Sequence, residues 1–303
     1  MIDTVVSVKL PIGEMLRIKR NRLMPDVVTG EEKRICLVSG IYGDELGGQY
    51  ICGEIIRRIK AEFENLTGIV DVYPAVNPLG LDARTRAVPI SDIDYSSAFP
   101  GDINGGLEDY KGASCCIDIH SSNIFLQEVP QVRLNNDYDE TLLHLSKYMN
   151  TDLVWIHPSQ TVNEGSLAFT LNQMGIPTMV TESGAAFRIR YEYCRQIIDG
   201  IFSVMAELGI WKEKVQGKTK VPFIHEDQIF YLNCESSGLF VSYKRLKDPV
   251  KKGEIIGIVQ NPLMGATEEE VVAPTDGILM TLREHPSVTE GSLVARVIGG
   301  NAL

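Results

Sequence analysis

Positive charge is what this chain has little of. Against 40 aspartates and glutamates stand 29 lysines and arginines, a formal net charge of -11. That balance disfavours an affinity built on neutralising a phosphate backbone, and no basic stripe with interleaved aromatics runs through the sequence. Nucleic acid is therefore not an expected partner, although local arginines can still hold an acidic substrate. Long apolar runs are missing too, so no window approaches a charge-free membrane span. The opening MIDTVVSVKLPIGEM carries Asp3 early and lacks a basic segment followed by an apolar one, so no secretory signal is expected. Repeated C-x-x-C spacing is also lacking. The six cysteines, at 36, 52, 115, 116, 194 and 234, read as buried free thiols of a reducing compartment. The cytoplasm is the expected location.

What is present describes an ordinary globular protein: 303 residues, 44% hydrophobic, enough for a large core and one smaller domain. RICLVS at 34–39 reads as a buried strand. A helix is expected over 45–63, where Leu46, Tyr50, Ile51, Ile55, Ile59 and Phe63 recur near the helical period. Further strands are expected at 68–77, 114–120, 152–156 and 177–182, and helices near 137–149, 163–174 and 191–209. Residues 78–112 hold no periodic stretch, and a loop of that length inside a compact domain points to a substrate site. After about residue 220 the texture changes. FYLNCE, GLFVSYK, IIGIVQ, GILMTLR and SLVARVIG alternate with glycine turns, the pattern of a small all-β unit. The expected division is 1–220 and 221–303, with the boundary between 212 and 225.

Chemistry-bearing residues gather at the expected strand ends, where open α/β sheets place their sites. SGIYGDE follows the first of these strands, and a histidine at position 42 would make it an H-x-x-E zinc motif; tyrosine stands there instead. Glu45 suits either a helix-start interaction or a metal ligand. His120 ends an apolar strand with Asp118 on the same face, a structural histidine or a ligand whose second nitrogen is oriented by a carboxylate. Glu182 closes IPTMVTE, where a buried carboxylate needs a partner; it reads as a strand-end ion pair or as a general base acting on water. Arg86 and Arg133 suit anion binding, carbonyl polarisation or a structural role.

In order along the chain, GIYGDE, NPLGLDARTR, SDIDYSSAFPG, DIHS, VPQVR and PTMVTESG resemble the succinylglutamate desuccinylase and aspartoacylase family, relatives of zinc carboxypeptidases. The resemblance spans nearly the whole chain. It implies an α/β fold with a carboxypeptidase-like central mixed sheet flanked by helices, and a smaller C-terminal all-β domain. It implies one divalent metal, zinc, on Tyr42, Glu45 and His120, with Glu182 and Arg86 catalytic and Arg133, Asp94, Ser96 and Ser97 facing substrate. Two departures stand out. Tyr42 offers a phenol of reference pKa about 10 in place of imidazole, which puts the metal itself in question; Asp44, His157, His225 or a cysteine are alternative donors. Asp94, Tyr95, Ser96 and Ser97 replace the family's D-L-N-R, so the bidentate carboxylate clamp is lost. The expected function is a divergent metal-dependent deacylase of a small amide metabolite. The alternative is a non-catalytic relative that binds a ligand or an active paralogue, and a homo-oligomer fits either.

Overall fold

A computed structural model describes residues 1–89, 98–101, 106–135, 140–158, 164–215 and 220–300. The chain opens with β1 (Ile2–Lys9) and β2 (Met15–Leu23), an antiparallel hairpin, followed by β3 (Arg34–Ser39), α1 (Leu46–Ala61), β4 (Ile69–Tyr73) and α2 (Pro78–Ala83). Next come β5 (Cys115–His120), β6 (Leu126–Asn135), α3 (Glu140–Ser146), β7 (Leu153–His157), α4 (Leu167–Gln173), β8 (Thr178–Gly184) and α5 (Tyr191–Glu207). Beyond these the chain is almost all strand: β9 (Phe223–His225), β10 (Ile229–Asn233), β11 (Gly238–Ser242), β12 (Pro249–Val250), β13 (Ile255–Gln260), β14 (Thr267–Val272), β15 (Gly277–Arg283), β16 (Ser287–Val288) and β17 (Leu293–Gly299).

The central sheet is mixed and runs β1-β2-β4-β3-β5-β8-β6-β15-β17-β10, while β14-β13-β11-β16 form a second, smaller sheet. β3 pairs in parallel with β4 and β5, and β5 with β8, so four consecutive strand ends face the same way. These strands are apolar without alternation because both faces are covered: Ile35, Leu37, Ile117 and Met179 are wholly buried. On one side α1 presents Ile51, Ile55 and Ile59, and α5 presents Ile197, Ile201 and Phe202. Each such side chain contributes roughly 2 kcal/mol on leaving water.

Two elements depart from the expected pattern in ways that shape the site. β6 is a full central strand although QEVPQVR reads poorly as one; Pro130 sits where its register with β8 shifts between Glu128 and Gln131, the kind of position a central proline tolerates. Within 78–112, expected to be loop, α2 forms with Asn77 accepting from Gly80 N at 2.8 Å and proline in the first turn. The C-terminal strands do more than form a separate unit, since β15 pairs with β6 and brings β17 and β10 into the central sheet. No helix among the described residues is long and apolar enough to cross a bilayer.

Candidate active site

At the end of β3, Gly40 takes φ +68° and turns the chain under its neighbours, where a Cβ would lie 2.9 Å from Ala75 Cα. Three residues on, Gly43 packs against the start of α2 so closely that a Cβ would lie 2.0 Å from Gly80 C, and its N–H donates to the Arg86 carbonyl at 3.3 Å. These contacts bring Arg86 from the loop after α2 onto Tyr42 and Glu45. Glu45 stands at the start of α1 but makes no capping bond. Its Oε1 takes Arg86 at 3.1 Å, and its Oε2 accepts from the Ser121 N–H at 3.0 Å and lies 2.9 Å from His120 Nδ1. The Arg86 guanidinium lies 3.3 Å from the centre of the Tyr42 ring, which meets the His120 ring edge-on at 5.7 Å.

Register brings the next residues together: His120 of β5 is paired opposite Glu182 of β8. Asp118, on the same face of β5, places Oδ2 3.1 Å from His120 Nε2. Burial disfavours a charged imidazole here, but Asp118 and Glu45 outweigh it and hold His120 well above its usual value. Burial pushes Glu182 up to about 7 against the pull of Arg133, whose guanidinium stands 3.0 Å from Glu182 Oε2. Arg133 also reaches Glu128 at 2.6 Å, and Glu128 takes Arg296 of β17 at 2.6 Å on its other oxygen. His157 stacks on Trp155 with ring centres 4.1 Å apart. Burial, then Arg133 and Arg296, hold it down to about 3.

One cavity of about 740 Å³ gathers Tyr42, Glu45, Arg86, His120, Arg133 and Glu182, all named from sequence. Asp94, Ser96 and Ser97 lie outside the described residues. Of the alternative donors, His157 lines the cavity, Asp44 lies 3.7 Å from Arg86, and neither His225 nor any cysteine is among the described wall residues. All six thiols are free and buried. Sequence reasoning passed over Glu128 and Arg296. The signal for Arg296 was a lone charge inside the apolar run LVARVIG; Glu128 sits in the polar stretch around Pro130 and stands out only once β6 is seen to be central.

The donor set does not fit a catalytic zinc ion, which takes three protein donors from histidine, carboxylate and cysteine. The third member here is a phenol. Among the described residues no group of three or more His, Cys, Asp and Glu side chains is placed to hold a metal. Both oxygens of Glu45 and both nitrogens of His120 already face protein partners.

Fold and cleft together define a carboxypeptidase-like α/β protein with a candidate site at the ends of β3, β5 and β8. The chain belongs to the succinylglutamate desuccinylase/aspartoacylase catalytic domain family, which it matches over residues 31–208. It is 25% identical over 292 residues to an N-alpha-acetyl-L-2,4-diaminobutyric acid deacetylase of Halomonas elongata, covering 89% of this chain and 83% of that protein. Its fold is similar to the product-bound ectoine utilization protein EutE (DoeB) of Ruegeria pomeroyi, with TM-score 0.82, 21% identity and coverage of 99% and 95% of the two chains. The succinylglutamate desuccinylase/aspartoacylase of Rhodobacter sphaeroides gives TM-score 0.77 at 22% identity, with 93% and 89% covered.

Proposed function

We propose that this chain is a deacylase of a small linear amide, an N-acylated amino compound, with Glu182 as its proton-transferring group. The observation that carries this reading is the environment of Glu182: a carboxylate deep in the family's cleft, raised to about 7 by burial and tied to Arg133. A base works best when its pKa lies near the operating pH. Glu182 takes a proton from water as the water oxygen bonds to the amide carbon. The same proton then goes to the leaving nitrogen as the C–N bond breaks, giving a carboxylate and an amine. Arg86 polarises the carbonyl and stabilises the oxyanion that forms. Arg133 and Arg296 line the same cavity and supply positive charge for a polar or anionic end of the substrate, in place of the clamp lost at Ser96 and Ser97. The family resemblance implies zinc, but Tyr42 stands where the third donor is needed, and the roles of Glu182, Arg86, Arg133 and Arg296 require no metal.

Tyr42 also supports a second reading, a relative that binds the same class of ligand, or an active paralogue, without turnover. A panel of N-acyl amino compounds, assayed with the wild type and with Glu182→Gln, separates the two. Turnover lowered by at least about 100-fold in E182Q, at an unchanged melting temperature, supports the deacylase. Equal turnover in both removes Glu182 from the reaction, and saturable binding without turnover in the wild type favours the second reading.

A further inference from the structure

A cation is already built into this cleft. The Arg86 guanidinium carbon lies over the Tyr42 ring, 3.3 Å from its centre, well inside the roughly 6 Å within which a cation is attracted to an aromatic face. From there it reaches Glu45 Oε1 at 3.1 Å and Asp44 Oδ1 at 3.7 Å. The two carboxylates have side chains only 3% and 4% exposed, and burying a carboxylate is costly unless it has a partner. The backbone holds Arg86 in place through the Gly43–Gly80 contact and the Gly43 N–H bond to the Arg86 carbonyl. A zinc ion bound by Tyr42, Glu45 and His120 would have to displace the guanidinium from Glu45, add two positive charges beside it and deprotonate a phenol.

We propose that Arg86, seated on the ring of Tyr42, is a resident cation of this site, beside His120, and that the wild-type cleft does not take up zinc. Tyr42 is the determinant. Its ring is the platform for the guanidinium, and it occupies the position from which an imidazole would complete a set with Glu45 and His120. Replacing it with histidine removes the platform and supplies the missing nitrogen donor, so Tyr42→His acquires a metal site. The inference concerns which cation the cleft holds, and it stands whether or not the chain turns over an amide.

The test reads metal content and not activity. Full-length wild type, Tyr42→Phe and Tyr42→His are purified without chelators, incubated with zinc, desalted and measured by elemental mass spectrometry, with thermal melting as the check on folding. Wild type and Tyr42→Phe, which keeps the platform, are expected to carry substoichiometric zinc. Tyr42→His is expected to carry one equivalent, lost when Glu45→Ala is added. One equivalent in the wild type, lost in Glu45→Ala or His120→Ala, overturns the proposal. So does a Tyr42→His protein that melts like the wild type and takes up no zinc. If Tyr42→His does not fold, the wild-type and Tyr42→Phe measurements still decide whether the native cleft holds zinc.

Discussion

His157 is kept neutral by its surroundings. It stacks on Trp155, its Nε2 is buried without a hydrogen-bond partner among the described residues, and Arg133 and Arg296 stand nearby. Its folded value, about 3, lies below the roughly 6.5 of an unperturbed histidine. In the window between those values the unfolded chain binds a proton that the folded chain does not. Stability from this group is therefore complete above about pH 6.5 and is lost as pH falls toward the folded value. The urea midpoint should drop more steeply from pH 7 to pH 4 in the wild type than in His157→Phe; parallel curves would remove His157 from the account. At this scale the sequence was most readable where chemistry coincides with a strand end. His120 and Glu182 close apolar runs, and register alone puts them side by side. Arg296 was unreadable as a neighbour of Arg133 because the two lie 163 positions apart and meet at Glu128 and over the Trp155 ring.

Among elements, periodicity is legible where one face packs against a core and fails where backbone contacts decide. α1 and α5 lie close to their expected spans because isoleucines recur on their buried faces. β14, TEEEVV, carries three glutamates and gave no apolar signal, and it forms because β13 pairs with it. α2 is short and depends on its Asn77 cap and its contact with Gly43. That contact can be tested with two glycines of one neighbourhood. Gly43→Ala drives a methyl into the Gly80 backbone, while Gly53 of α1 has nothing within 4 Å of a built Cβ. Urea unfolding should show Gly43→Ala destabilised by about 2 kcal/mol with Arg86 displaced. Gly53→Ala should be stabilised by up to about 1 kcal/mol. Equal midpoints for the two variants would mean that the Gly43–Gly80 contact does not set the site.

For the whole molecule, the C-terminal strands complete both the sheet and the cleft. β15 pairs with β6 through Thr281 and Glu128, Leu282 and Gln127, and Arg283 and Leu126. Val129, Leu153 and Trp155 share one buried cluster with Ile224, Ile229, Met280 and Ile298. Lys247 reaches Asp152 at 2.6 Å and Arg190 reaches Glu284 at 3.1 Å, so polar contacts span the same seam. The change of texture near residue 220 was legible because glycine turns punctuate short apolar strands. The pairing of those strands with β6 was not, because strand partners far apart in sequence leave no local mark. A chain ending at residue 220 would bare Trp155, the outer side of β7 and the Leu126–Glu128 end of β6, templates for association between chains. It would also remove Arg296 from Glu128, leaving a buried carboxylate with Arg133 and Gln131 as its side-chain partners among the described residues. Residues 1–220 expressed alone should therefore aggregate, or bind a hydrophobic dye without a cooperative melt. A soluble fragment melting cooperatively near the wild-type temperature would mean that the α/β unit holds its own core and that the β-rich segment is an addition. Arg296 argues against that outcome, because it is carried by β17 and pairs with Glu128 in the cavity wall.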